Sequence, residues 1–185
     1  MEALESRFGF VIAAAPRALA DDDRTWLREV ARDTWRYFEQ YATAEHHALP
    51  PDNVQFEPDE RVAARTSPTN IGMGLLSTLA AHDLGFIQTP VLADRLDATL
   101  STVEQLEKVH GHLLNWYDTR TLVPLRPAYV STVDSGNLAG ALLTLASGLD
   151  GLAAAGAADD PVSVSYTHLR AHETDSYLVC RLLLE

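Results

Sequence analysis

The sequence predicts an all-α fold assembled from helical hairpins, and three observations lead there. Four stretches carry apolar residues in the i, i+3, i+4 rhythm of a helix face, beginning near Asp22, Ser67, Thr89 and Asp134. No alternating, strand-period segment runs longer than a few residues. Connections between the helical stretches are alternately short and long, and each long one ends in a polar, aromatic cluster at a helix start. Helical toroids whose one rim carries elaborate loops have this rhythm.

The first helix is expected from Asp22. Trp26, Leu27, Val30, Ala31, Thr34, Trp35 and Phe38 share one face, expected to be buried. Arg24, Arg28, Arg32 and Arg36 recur on the opposite face, expected to be solvated. Glu29, Asp33 and Glu39 among them argue against a polyanion-binding stripe. Asp21, Asp22 and Asp23 offer caps and negative charge for the helix start. Leu49-Pro50-Pro51-Asp52-Asn53 then breaks the helix, and Glu57-Pro58-Asp59 keeps the chain irregular.

A second helix is expected from Ser67-Pro68-Thr69 through Ile71, Leu75, Leu76 and Leu79 to Leu84, stopped by Gly85. Gly72 and Gly74 each lower helix propensity by about 1 kcal/mol, so their presence predicts a close backbone approach. In the third helix Thr89 is the expected cap and Pro90 the first helical residue, with Val91, Leu92, Leu96, Leu100, Val103 and Leu106 as its stripe. It should end at His110-Gly111. A long loop from His112 to Val133 leads to a fourth helix starting at Asp134-Ser135 and carrying Leu138, Leu142, Leu145 and Leu149.

With 185 residues, 46% hydrophobic, the chain is long enough for one domain with a sizeable core. Its formal charge of −12 argues against nucleic acid as a partner, because such proteins neutralise phosphates with clustered Lys and Arg. No uninterrupted apolar run approaches the ~20 residues of a transmembrane helix, so no direct membrane insertion of this soluble segment is expected. The histidine pairs His46-His47 and His110–His112 lack the i, i+4 spacing of a helical zinc pair, and no Gly-rich phosphate loop is present. No metal and no cofactor is therefore expected.

Both ends stand apart. Residues 1–20 carry no motif and form an unassigned leader. VSYTHLRAHET (Val164 to Thr174) and LVCRLLL (Leu178 to Leu184) back-translate to two parts of a sequencing adapter, separated at Asp175-Ser176-Tyr177 by an index-length gap. Residues 164–185 are therefore expected to be translated adapter, with the natural chain continuing past Ser163. A His168, His172 and Cys180 metal site is rejected on the same ground. Without Cys180 no cysteine remains, and with it no disulfide can form within the chain.

Three clusters could carry chemistry. Arg65-Thr66-Ser67-Pro68-Thr69-Asn70-Ile71-Gly72 packs hydroxyls and an amide at a helix start; Asn115-Trp116-Tyr117-Asp118-Thr119 sets two aromatics beside a carboxylate and an amide; Tyr129 to Asn137 repeats the scheme at the next helix. Sugar sites use such groups: flat aromatic faces stack on C–H-rich rings, while Asp and Asn bind paired hydroxyls. Each residue also has a plainer reading. Ser67, Asp134 and Ser135 can be caps, and Trp116 and Tyr117 can be core.

TSPTNIG (Thr66 to Gly72), LLSTLAAHDLG (Leu75 to Gly85), LNWYDTRTL (Leu114 to Leu122) and YVSTVDSGNLAG (Tyr129 to Gly140) resemble the central region of cyclic β-1,2-glucan synthases, very large bacterial inner-membrane proteins. LPPDN (Leu49 to Asn53) fits as well, and the resemblance runs from about Asp22 to Leu149. It implies that residues 21–163 are the N-terminal part of an (α/α)6 barrel, whose domain closes a β-1,2-glucan chain into a ring by transglycosylation. It further implies a retaining mechanism with a carboxylate pair flanking the glycosidic bond and a sugar hydroxyl in place of water. The pair would lie beyond this chain, leaving its catalytic residues unknown. Asn70, Trp116, Tyr117, Asp118, Asp134 and Asn137 would bind substrate: Trp116 and Tyr117 as stacking platforms, Asp118 and Asp134 as hydroxyl-binding or supporting acids, Asn70 and Asn137 as amide partners. The implied partners are a β-1,2-glucan chain and the rest of the parent polypeptide, on the cytoplasmic side of the inner membrane. Alternatives are a β-glucan hydrolase on the same fold and a non-catalytic helical module that binds glycan or protein.

Overall fold

The computed structural model describes residues 19–156. Most of the leader, the adapter-like tail, and His168, His172 and Cys180 lie outside the described residues. Four helices dominate: α1 (Asp21–Tyr41), α2 (Pro68–Asp83), α3 (Thr89–Gln105) and α4 (Thr132–Gly156). Among the described residues six two-residue strands decorate the connections, namely β1 (Val54–Gln55), β2 (Arg61–Val62), β3 (Arg65–Thr66), β4 (Lys108–Val109), β5 (His112–Leu113) and β6 (Tyr117–Asp118). They pair antiparallel as β1–β2, β3–β6 and β4–β5.

α2 is the centre of the bundle, packing chiefly on α4 and also on α3 and α1. Ser67 caps it, its hydroxyl accepting from the Asn70 N–H at 3.2 Å, and Pro68 occupies the first turn. Gly85 ends the helical region with φ +69, a left-handed conformation that glycine adopts without a Cβ clash. The close approach expected at the two glycines is present. A Cβ on Gly72 would lie 2.9 Å from the Cβ of Ala141 in α4, and one on Gly74 would lie 3.0 Å from Pro50 Cγ. Around this contact Ile71, Leu75, Leu79, Leu138 and Leu145 join Trp35, Phe38, Leu49, Leu92 and Leu96 in one core.

α1 departs from its expected orientation. Only Trp35 and Phe38 of the apolar face are buried, while Trp26 is 62% exposed, and Leu27, Val30 and Thr34 are exposed too. The arginine face, expected to be solvated, is partly docked instead. Arg28 donates to the carbonyl of Leu84 at 2.6 Å, at the C-terminal end of α2 where a cation is favourable. The guanidinium groups of Arg28 and Arg32 lie 5.0 and 5.3 Å from the Phe86 ring centroid. α1 thus enters the core through Trp35 and Phe38, while Arg28 and Arg32 contact the α2–α3 connection and most of the remaining apolar stripe stays exposed. The three aspartates lie within the first turn rather than capping it, since the cap position is Ala20.

The end of α3 also differs. The helix stops at Gln105, because Lys108 folds back and its ammonium donates to the carbonyls of Val103, Glu104 and Leu106 at 2.8–3.2 Å. His110-Gly111, expected as a helix stop, is the two-residue turn of the β4–β5 hairpin, with φ 51 and 82. At the start, Gln88 is the cap position, and Thr89 instead meets the His82 ring at 3.0 Å.

α4 begins two residues earlier than expected, behind Ser131, whose hydroxyl accepts from the Asp134 N–H at 3.2 Å. Its stretch Thr132–Ala155 has a mean hydropathy of 1.5 and is long and apolar enough, by length and composition, to cross a membrane. Asp134 and Asp150 interrupt it, so it is not a continuous apolar run. Leu138, Ala141 and Leu145 face the core, whereas Val133 and Leu143 are exposed, 71% and 53%.

Candidate functional site

The three polar clusters converge on one rim. β3 pairs with β6 in a register that sets Arg65 opposite Asp118 and Thr66 opposite Tyr117, and β3 runs directly into Ser67 and α2. The first and second clusters are joined in this way. The first and third meet through side chains. The Thr69 hydroxyl donates to Asp134 Oδ1 at 2.5 Å, and the Asn137 amide donates to the Thr69 oxygen at 3.1 Å. Asn115 ties the second cluster to the third: its backbone N–H donates to the Tyr129 carbonyl at 2.9 Å and its Oδ1 accepts from the Tyr129 N–H at 3.0 Å.

The six candidate residues fare differently. Asp134 and Asn137 flank Thr69 at the junction of two helix N-termini, Asp134 half-buried and Asn137 exposed. Asn70 stands beside them, and its amide nitrogen is buried with no hydrogen-bond partner among the described residues. The Ser135 hydroxyl is likewise buried and unpartnered there. Unmet polar atoms of this kind are unfavourable unless another group meets them.

Trp116 is half-buried, and the Arg65 guanidinium lies 5.0 Å from the centroid of its ring. Two N–H groups of Arg65 donate to Asp52 Oδ2 at 3.0 and 2.7 Å, fixing that guanidinium in place. Tyr117 is not a stacking platform. It is wholly buried, its hydroxyl donating to the Glu107 carbonyl and accepting from the Leu114 N–H, each at 2.6 Å. Burial pushes its pKa up to about 12. The β3–β6 pairing turns this ring inward, which strips it of any open face.

Asp118 holds its own turn: Oδ1 accepts from the N–H groups of Arg120 and Thr121 and from the Thr121 hydroxyl at 2.8–3.1 Å. Burial raises its pKa, but these hydrogen bonds outweigh that and leave it below the usual carboxylate value. His46 and His47 both pack on Thr119, at 2.6 Å to its hydroxyl and 2.9 Å to its carbonyl, as packing rather than ligand residues. Among the described residues no group of three or more His, Cys, Asp or Glu is placed to hold a metal ion. A separate open cleft of about 330 Å³ lies between α1, α2 and α3, beside Phe38, Pro50, Thr78 and Arg95, and includes none of the rim residues.

Thr69, Asn115 and Arg65 emerge as organising residues without having been singled out by sequence reasoning. All three lie inside the quoted motifs. Their partners lie 65, 14 and 13 residues away, however, so only the folded chain reveals the pairing.

A family profile described as a protein of unknown function (DUF3131) matches residues 29–145, well over half the chain. The chain belongs to the DUF3131 family. This DUF3131 chain is also 52% identical over 121 residues to the cyclic beta-(1,2)-glucan synthase NdvB of Rhizobium meliloti (strain 1021), an alignment that takes in 65% of the chain and 4% of that protein. It thus spans a small fraction of that relative's length. Among the solved structures that share its fold are two glucanases. The β-1,2-glucanase of Parabacteroides distasonis superposes with a TM-score of 0.60 at 18% identity, over 84% of this chain and 22% of that one. The endo-β-1,2-glucanase of Chitinophaga pinensis, solved with sophorotriose and glucose, gives 0.54 at 17% identity, over 89% and 36%. A putative glucoamylase of Bacteroides fragilis NCTC 9343 superposes as well, with a TM-score of 0.58 at 16% identity over 91% and 36%. The DUF3131 segment is an all-α portion of a glucoamylase-like (α/α)6 barrel.

Proposed function

We propose that this chain is a segment of the glucan-cyclising domain of a cyclic β-1,2-glucan synthase, with residues 21–163 as the barrel portion. The observation that carries this reading is the 52% identity to the Rhizobium synthase over 121 residues. In this reading the rim formed by the starts of α2 and α4 binds hydroxyls of a β-1,2-glucan chain. Asp134 and Asn137 offer an acceptor and a donor held by Thr69, and Asn70 and Ser135 supply buried polar atoms that a sugar hydroxyl can satisfy. The Trp116 edge borders the site, with one face taken by Arg65.

Asp118 and Asp134 act as supporting and binding groups, not as acid or nucleophile, since each carboxylate is already engaged in orienting its own surroundings. Ring closure would use a carboxylate pair supplied elsewhere in the parent polypeptide, in a retaining transglycosylation. The segment would work on the cytoplasmic side of the inner membrane as part of that larger protein.

Product analysis of the parent polypeptide on linear β-1,2-glucan tests the reading. Cyclic products are expected. Short linear sugars alone would replace it with a hydrolase, and no turnover with no glucan retention would favour a non-catalytic module.

A further inference from the structure

Of the aromatics in the rim motifs, Tyr117 is fully buried and Trp116 lies beneath Arg65, whereas Tyr129 is 55% exposed. Its position is fixed from both sides. Ala128 and Val130 pack against the core on either side of it, while Tyr129 between them is exposed. Asn115, itself only 4% exposed, directs its side chain to this segment: Oδ1 accepts from the Tyr129 N–H, and Nδ2 donates to the Pro127 carbonyl at 3.2 Å. The Tyr129 carbonyl accepts in turn from the Asn115 N–H. Among the described residues the Tyr129 hydroxyl makes no hydrogen bond and its ring meets no other ring or guanidinium. An exposed aromatic on a backbone held by three hydrogen bonds loses little conformational freedom when something stacks on it. Tyr129 also lies, along the chain, two residues before the Ser131 cap and five before Asp134, in the segment that leads into the start of α4.

We propose that Tyr129 is the aromatic platform on which a glucosyl unit of the glucan chain stacks, with Asn115 as its positioning residue. The proposal rests on the glucan-binding reading and adds to it the residue that supplies the apolar contact. The C–H face of a pyranose ring lies on the phenol, leaving the sugar's equatorial hydroxyls free for the Asp134–Thr69–Asn137 group.

Calorimetric titration of the full chain with linear β-1,2-gluco-oligosaccharides tests it, with circular dichroism to verify that each variant is folded. Tyr129→Ala should weaken binding about tenfold, while Tyr129→Phe, which keeps the ring, should stay within about threefold. Asn115→Ala should weaken binding when Tyr129 is present and add nothing in the Tyr129→Ala background. Unchanged affinity in Tyr129→Ala overturns the platform while leaving the glucan reading intact. Equal losses from Asn115→Ala in both backgrounds overturn the positioning role. An unsubstituted chain that binds no oligosaccharide overturns the glucan reading, and the platform with it.

Discussion

The hydroxyl of Thr69 donates to the carboxylate of Asp134 at 2.5 Å, linking the first turn of α2 to the first turn of α4 across 65 residues of sequence. Asn137 completes a relay by donating to the same Thr69 oxygen. The relay joins the same two helices that approach closely where Gly72 meets Ala141, so packing and polar geometry at this rim are set together.

Replacing Thr69 with valine keeps the shape and removes the relay's central donor and acceptor. Thr69→Val should lower stability by about 1–2 kcal/mol, the range for a partly exposed hydrogen bond to a charged group. Thr69→Ser should recover most of it. Urea unfolding of the three chains decides the matter, and equal stability of the valine and serine variants would remove any energetic role for the relay.

Gly72→Ala has two opposed effects. Alanine improves helix propensity by about 1 kcal/mol, but its Cβ would lie 2.9 Å from that of Ala141. Overpacking of this kind costs about 1–3 kcal/mol, so net destabilisation is expected. Adding Ala141→Gly should relieve the clash, giving a coupling of at least about 1 kcal/mol in a double-mutant cycle. Additive effects would mean that α2 and α4 separate freely.

Tyr117→Phe leaves the Leu114 N–H and the Glu107 carbonyl without their buried partner, a loss of about 2–4 kcal/mol at neutral pH. Its pH signature is specific. Burial raises the folded-state pKa to about 12 from an ordinary value near 10, so the stabilisation is complete below pH 10 and fades as pH rises through 12. Tyr37, also raised to about 12 by burial and by the nearby Asp52, titrates over the same window. Denaturation midpoints between pH 9 and 12 should therefore fall less steeply in Tyr117→Phe while keeping the Tyr37 component. An unchanged slope would contradict the buried phenol.

The two α1 tryptophans should separate cleanly. Trp35 is 3% exposed in the core, and Trp35→Ala should cost about 3–5 kcal/mol. Trp26 is 62% exposed, and Trp26→Ala should change stability by less than about 0.5 kcal/mol. A large loss at Trp26, measured by thermal unfolding, would restore the orientation implied by the apolar stripe.

Sequence by itself determined where local chemistry decides the outcome. Ser67, Pro68 and Gly85 bound α2, the glycine pair marks its close approach, and three motif clusters mark the rim. The caps and stops depend on neighbours within a turn or two, so short strings suffice for them, whereas the partners of the glycines and of the rim clusters lie far along the chain. Tertiary structure alone decided how much of the α1 stripe is buried: Trp35 and Phe38 reach the core, while Trp26, Leu27 and Val30 stay exposed, and Arg28 finds the Leu84 carbonyl and the Phe86 ring. It also decided the fates of the aromatics. A tyrosine's periodicity does not say whether its ring serves as core or as surface; the β3–β6 register buries Tyr117, and Tyr129 stays exposed between the packed neighbours Ala128 and Val130, on a backbone held by Asn115. The hairpin at His110-Gly111 follows from Lys108 satisfying the α3 carbonyls. Contacts between distant residues carry these outcomes, and a one-dimensional pattern does not encode which distant residues meet.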